Sequence, residues 1–465
     1  MIHIHISKQQ WLFSVVFVFI STIALSQKEG QLSFLFVGDV MQHGPQIDGA
    51  YNKKLDRYEY ENSFNYIQPI IQSVDIAVAN LEVTHAGKPY KGYPQFSAPD
   101  ELSAALQKTG FDVILTANNH SCDGGGKGVT RTLDVLDKLG VLHTGTFRSK
   151  KERDANYPLI VTKNGIKVAF LNYTYGTNGL SVASPLIINY IDSAVIKADM
   201  KKAKLQADYI ICTMHWGDEY KSLPNAYQKN WEKYCYELGA DMVIGGHPHV
   251  IQPIERKKVN GEEKLTAWSL GNFVSNQRDR YKNGGMYVVA SIQRNLNSDG
   301  KGAKVELKEA NYFLAYVHKR EEGIFKPYYI LPEYDYNSLY NDFILPKDLQ
   351  LMNEFFVDSR KLMGEHYKNV SELRLSDLGL DDYYEHQLKG YYSVMVVDEA
   401  QLGRLKNEQL MHKKLAHTGE KIWLSGYCKS VEEAELNRQV LKKLGENRTL
   451  QIVRITPDGY KIMGE

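Results

Sequence analysis

From Gln31 to about Gln293, short apolar runs alternate with longer stretches of helical periodicity. Leu32–Val37, Ile76–Ala79, Val113–Thr116, Val168–Leu171, Tyr209–Thr213, Met242–Ile244 and Leu265–Ser269 read as buried strands. Most are rich in β-branched residues and bounded by Gly, Asp or Asn. Phe64–Ser73, Asp100–Lys108, Gly128–Leu139, Ser193–Gln206 and Asn225–Leu238 read as the helices between them. Strand–helix alternation predicts an α/β layered fold. In such folds the ligand site gathers at the carboxyl ends of the strands.

Beyond residue 303 the pattern changes. Asn311–Val317 and Phe325–Leu331 are aromatic-rich strands that complete or cover the sheet, which takes the first domain over 31–335. Residues 336–385 are charged and read as a helical linker, with Leu349–Met363 its clearest helix. The last part, 389–460, returns to alternation as a small α+β module. Tyr391–Val397, Lys421–Tyr427 and Leu450–Ile455 are its strands, and Ala400–Lys414 and Val431–Leu444 its helices. Ser430 with Glu433 three residues on forms a capping box for the second helix. At the other end, Lys8 precedes an apolar run, Trp11–Leu25, and Ala24-Leu25-Ser26 supplies small residues before Gln27. Residues 1–26 therefore read as a secretory signal peptide. An uncleaved membrane anchor is the alternative, although the run is shorter than the ~20 residues a spanning helix needs. The protein is expected in the periplasm or cell envelope.

Composition narrows the picture. The 465 residues imply two or three domains, and 43 % apolar with 24 % charged residues is a globular balance. With 56 basic and 55 acidic residues the net charge is +1, so nothing electrostatic points to nucleic acid as a partner. Cys122, Cys212, Cys235 and Cys428 form no CxxC pair and select no disulfide pairing. Cys122 and Cys212 are expected to be small buried residues.

The chemistry lies in the polar residues that follow the apolar runs. Asp39, Glu82, Asn119 with His120 and Asp123, His215, then His247 and His249 come after successive strands. Two carboxylates, an amide oxygen and three histidines make a mixed oxygen and nitrogen donor set. Such a set suits a divalent transition metal (Mn, Zn or Fe), as one or two ions, better than calcium or magnesium. His247 and His249 would point to one side of an extended segment, by the two-residue period.

The order of these motifs resembles the calcineurin-like metallophosphoesterase superfamily and, within it, the capsule-synthesis CapA family associated with poly-γ-glutamate. The resemblance covers about residues 32 to 290. It rests on Val37-Gly38-Asp39-Val40-Met41, Ala79-Asn80-Leu81-Glu82, Ala117-Asn118-Asn119-His120-Ser121-Cys122-Asp123, His215-Trp216-Gly217-Asp218-Glu219-Tyr220, Gly246-His247-Pro248-His249-Val250 and Ser269-Leu270-Gly271-Asn272-Phe273. It implies a four-layer β-sandwich flanked by helices. It also implies that Asp39, Glu82 and His249 hold a first metal and Asn119, His215 and His247 a second, with Glu82 as the bridge. His120 would be the acid/base, oriented by Asp123, and Glu219 and Asn272 would face the substrate. The superfamily has Asp-x-His in its first motif, whereas this chain has Asp39-Val40-Met41, with His43 two residues further on. The C-terminal module resembles the peptidoglycan-binding SPOR domain, with a generic ferredoxin-like module as the alternative. Three functions follow as expectations. One is an envelope enzyme handling poly-γ-glutamate or a related anionic polymer, one a phosphoesterase, and one a non-catalytic envelope assembly protein with a peptidoglycan-binding tail.

Overall fold

The computed structural model describes residues 30–53, 55–296, 303–320, 327–333, 344–366, 369–378, 392–396, 411–414, 421–424, 434–435, 438–439, 450–456 and 459–462. The expected signal segment, residues 1–26, lies outside them. In chain order, the strands longer than two residues before residue 335 begin with β1 (Gln31–Val40), β2 (Ile76–Leu81), β3 (Val113–Leu115) and β4 (Leu142–Thr144). Next come β5 (Leu159–Lys163), β6 (Ile166–Thr174), β7 (Tyr209–His215), β8 (Met242–Gly246), β9 (Ile254–Val259) and β10 (Glu262–Ala267). β11 (Asn272–Val274), β12 (Gly284–Leu296), β13 (Ala303–Lys319) and β14 (Tyr328–Pro332) follow.

They form two mixed sheets. The first runs β14-β13-β12-β1-β2-β3-β4, with β11 joined parallel to the end of β1 and Ser371–Glu372 joined to β13. The second runs β9-β10-β8-β7-β6-β5. β1 to β4 are mutually parallel, and so are β6, β7, β8 and β10. The parallel order places the carboxyl ends of neighbouring strands on one edge of each sheet.

The alternation of side chains explains how the sheets stack. On β6, β7 and β8, Val168, Phe170, Tyr209, Ile211, Met242 and Ile244 share one core with the first sheet. Their sequence neighbours Ala169, Leu171, Ile210, Cys212 and Val243 lie in a second core. That core is closed by Ile196, Met200 and Ala203 of the helix Ser193–Gln206 and by Cys235 and Tyr236 of Ala226–Leu238. The two-residue period thus separates a sheet-facing from a helix-facing side. β2 is buried along its whole length, as a parallel strand covered on both faces must be. Helix Glu101–Thr109 adds Leu102, Ala105 and Leu106 to the larger core. Helix Pro346–His366 packs Met352, Phe355, Phe356 and Met363 into it as well.

Two helical expectations are corrected. Phe64–Ser73 is not one helix but two short ones, Glu61–Phe64 and Gln68–Gln72, and Pro69 lies in the first turn of the second. Proline has no N–H and is accommodated at a helix start, so the chain restarts there. The end of the expected helix Ala400–Lys414 is a strand, Met411–Lys414, paired antiparallel with Lys421–Leu424, so pairing overrides local helical preference. These strands belong to a five-stranded C-terminal sheet that also contains Tyr392–Val396, Leu450–Thr456 and Gly459–Ile462. Of the expected helix Val431–Leu444, residues 434–435 and 438–439 are described, and all four are helical. No helix among the described residues is long and apolar enough to cross a membrane.

Packing on the helix-facing side of the second sheet leaves no room at Gly245 in β8. A Cβ there would stand 2.0 Å from the Trp268 carbonyl oxygen and 2.5 Å from Trp216 Nε1, which donates to that same oxygen at 3.0 Å. Gly245→Ala is therefore expected to lower unfolding free energy by about 1–3 kcal/mol in urea denaturation, the range for overpacked cores. An unchanged midpoint would show that the strand can shift without cost.

Candidate metal centre

The site lies where carboxyl ends of strands from both sheets meet. Asp39 is the penultimate residue of β1, Glu82 follows β2, and Asn119 and His120 follow β3. From the second sheet, His215 ends β7, and His247 and His249 follow β8. Gly38 permits the closest approach. Its missing Cβ would lie 2.0 Å from the Gly271 carbonyl, which instead accepts the Asp39 N–H at 3.0 Å.

Asp39 and Glu82 are both fully buried. One oxygen of Asp39 accepts from Asn80 Nδ2 at 2.8 Å, and the other lies 3.2 Å from His249 Nδ1. Burial pushes the Asp39 pKa up, but His249, His215 and the Asn80 amide outweigh it and hold the carboxyl below its usual range. Glu82 is different. Neither of its oxygens meets a hydrogen-bond donor, although His249 Nε2 and His215 Nε2 lie 3.6 and 3.7 Å away. Burial first, and the Asp39 charge second, raise its pKa well above normal.

Burial favours the neutral form of His215 and His247. Burial lowers His215 to about 3 and His247 well below the ordinary value. Neutral imidazole is the form that binds metal. His215 Nε2 lies 2.8 Å from Asn119 Oδ1, and the His215 and His247 rings are 4.9 Å apart. His247 Nδ1 is buried without a hydrogen-bond partner. Three donor groups converge so that one atom from each member lies within 4.8 Å of the others. They are Glu82 with His215 and His247, Asp39 with Glu82 and His249, and Glu219 with His247 and His249. Buried donors without partners are costly, and a divalent cation would satisfy Glu82 and His247 together. The residues present therefore fit such an ion.

The His247–His249 segment is not extended. Both residues have positive φ, 98° and 56°, as does Tyr220 at 64°. Non-glycine residues in that region are strained, and such strain collects at functional sites. The turn is held by Tyr220 N–H donating to Pro248 O at 2.8 Å and Trp216 N–H to Gly246 O at 3.1 Å. Turn geometry, not strand alternation, brings the two rings to 6.0 Å.

His120 and Asp123 form a separate pair. His120 Nδ1 lies 2.8 Å from Asp123 Oδ2, which also accepts the Phe96 N–H at 2.6 Å. The Phe96 ring stands edge-on to the imidazole at 4.6 Å. Nε2 is left facing Asn178, 3.5 Å away. Asn272 is buried, and its amide nitrogen donates to the Lys282 carbonyl at 2.8 Å, to Gln277 at 3.0 Å and to the His249 carbonyl at 3.3 Å. Glu219 is exposed at the mouth. His43 joins none of the donor groups. It caps the helix Gly44–Ala50 and its Nδ1 lies 3.1 Å from Gln46, while Met41 is buried in the larger core.

Several contributors were not assigned from the sequence. Asn118 donates to Leu81 O at 2.8 Å and to Asn80 Oδ1 at 3.2 Å, and accepts the His120 N–H at 3.1 Å. It thus links β2, β3 and, through Asn80, Asp39. Its place in the Asn118-Asn119-His120 motif was the available signal. Tyr175, whose ring lies 4.5 Å from His247, and Asn178, between Asn119 and His120, sit in a loop without a motif.

Residues 33–277 match the family model described as "Bacterial capsule synthesis protein PGA_cap". The chain is 32 % identical over 261 residues to the PGA biosynthesis protein CapA of Bacillus subtilis (strain 168), an alignment covering 53 % of this chain and 64 % of that protein. It is 28 % identical over 265 residues to the capsule biosynthesis protein CapA of Bacillus anthracis, covering 53 % and 60 % respectively. The chain therefore spans less than two thirds of either relative. Among solved structures, "Termus thermophilus Sulfate thiohydrolase SoxB in complex with glycerol" aligns at a TM-score of 0.34 and 11 % identity, over 72 % of this chain and 60 % of that one. A likeness at that level carries no argument.

Glu82 supplies a test of the donor set. Its proton is bound more tightly in the folded than in the unfolded state. The stability it contributes is therefore present below its ordinary value of 4.5 and lost as pH rises. In chelator, Glu82→Gln should melt higher than wild type near neutral pH, and should lose less melting temperature between about pH 5 and pH 8. Parallel melting curves for the two proteins would rule Glu82 out as the strained group.

Proposed function

The chain belongs to the bacterial capsule synthesis protein PGA_cap family, and from that premise we propose that it is a metal-dependent cell-envelope enzyme acting on poly-γ-glutamate or another anionic surface polymer. The observation that carries this reading is the buried convergence of Asp39, Glu82, His215, His247 and His249, in which Glu82 and His247 keep polar atoms unpartnered. Glu82, Asn119, His215 and His247 would hold one ion, and Asp39, Glu82 and His249 a second. A bound transition metal supplies Lewis acidity toward a carbonyl or phosphoryl oxygen.

The chain's own residues do the rest. Asp123 fixes His120 through Nδ1 and leaves Nε2 facing Asn178, which suits a proton transfer to a leaving atom. Amide or phosphoester cleavage both fit this arrangement, in a hydrolysis or a transfer. Residues 1–26 would direct export. The module at 389–460 would act as a SPOR-like tether to peptidoglycan. A second reading, a non-catalytic assembly protein with that tether, is favoured by Met41, whose buried side chain takes the place of a ligand histidine.

Metal analysis of the purified protein, paired with polymer assays on cells, tests the proposal. The wild-type protein should carry a transition metal. His247→Ala should lower that metal content and reduce surface polymer to the level of a strain lacking the gene. Wild-type polymer from a His247→Ala strain, together with a metal-free wild-type protein, would defeat it.

A further inference from the structure

The donor set is uneven. One group has Glu82, His215 and His247, with Asn119 Oδ1 against His215, whereas the other has Asp39, Glu82 and His249. The candidates from the first motif are committed elsewhere. Met41 lies in the apolar core and His43 is held by Gln46. Glu219, which is exposed, stands beside both histidines of the turn. An oxygen of its carboxylate and a ring nitrogen of each of His247 and His249 all lie within 4.8 Å of one another.

That placement is built in. The segment carrying Glu219 is stitched to the histidine turn on both sides, by Trp216 N–H to Gly246 O at 3.1 Å and Tyr220 N–H to Pro248 O at 2.8 Å. Gly217 and Tyr220 both take positive φ, 91° and 64°, so the backbone turns on either side of Asp218 and Glu219. Asp218 faces away and accepts from Asn225 Nδ2 at 2.8 Å, which caps the helix Ala226–Leu238. Charge argues in the same direction. A third carboxylate beside Asp39 and Glu82 repels any anionic substrate unless a cation neutralises it. As a substrate-binding group for a polyanion Glu219 is badly placed, and as a metal donor it is well placed.

We propose that Glu219 is a metal-binding carboxylate, supplying beside His249 the donor that the first motif lacks. The inference rests on the metal-dependent reading above and replaces the expectation that Glu219 faces the substrate. Because this donor is exposed while the other acidic donors are buried, the ion it serves is the one that exchanges with solvent. The ion beside Asn119 and His215 shares only His247 with the group that Glu219 joins.

Titration of the full metal-depleted chain with Mn²⁺ or Zn²⁺ alone, by calorimetry and by metal content after gel filtration, decides the matter. Wild type should bind two equivalents. Glu219→Gln keeps the shape and removes the charge, and should keep one equivalent while weakening the other by about tenfold or more. Asp218→Asn, one residue away, should match wild type. Equal melting temperatures of all three proteins in chelator would show that folding is unaffected. A Glu219→Gln protein that binds as many equivalents as wild type, with the same affinity, overturns the inference and leaves the metal-dependent reading standing. A wild-type protein that binds no metal removes both.

Discussion

Asp39 and Glu82 lie fully buried side by side, and their ion-pair partners among the described residues are histidines. That one constraint organises the rest. Two carboxylates out of water repel each other, and each costs several kcal/mol of desolvation. The chain answers asymmetrically. Asp39 receives an amide and a histidine and remains ionised, whereas Glu82 receives no donor and takes the whole penalty as a raised pKa. A pair tuned apart in this way is a common mark of a functional site. It is also the arrangement that a cation would relieve most.

Holding such a pair requires a scaffold that does not yield. Two stacked sheets supply it, and each has a tight glycine contact next to the site. Gly38 precedes Asp39 and touches the β11 turn, and Gly245 lies two residues before His247. The amides Asn118 and Asn80 then connect the ends of β2 and β3 to Asp39. The left-handed conformations at His247 and His249 persist because Tyr220 N–H holds the Pro248 carbonyl and Asn272 Nδ2 holds the His249 carbonyl. Asn272, expected to face a substrate, contributes to this bracing through its amide nitrogen.

How much of this could be read in the sequence follows from the length scale of each feature. All seven expected strands before residue 290 occur, because parallel strands buried on both faces leave continuous apolar runs. β5 and β9 escaped notice because they are half-exposed edge strands with lysines and arginine among their residues. The residues gathered at the centre were legible as polar residues after successive strands. Their arrangement was not, since His247-Pro248-His249 departs from the extended backbone that alternation assumes. Tyr175 and Asn178 were invisible for a related reason. A loop residue reaches a site through its tertiary path, and no periodicity records that path.

The neutral forms of His215 and His247 bear directly on ion binding. His215 and His247 are already deprotonated at neutral pH, because burial has removed their protons in advance. Two of the usual competitors for metal are thereby absent. The competition that remains is internal. Asn119 Oδ1 lies against His215 Nε2 at 2.8 Å, so each of these two donors must give up the other to face an ion. Glu82, protonated or strained, gains most from the exchange. Ion binding at this centre therefore trades one neutral hydrogen bond, worth about 1 kcal/mol net, against relief of a buried carboxylate worth several. A cation would offset that penalty, because the fold leaves Glu82 without a donor.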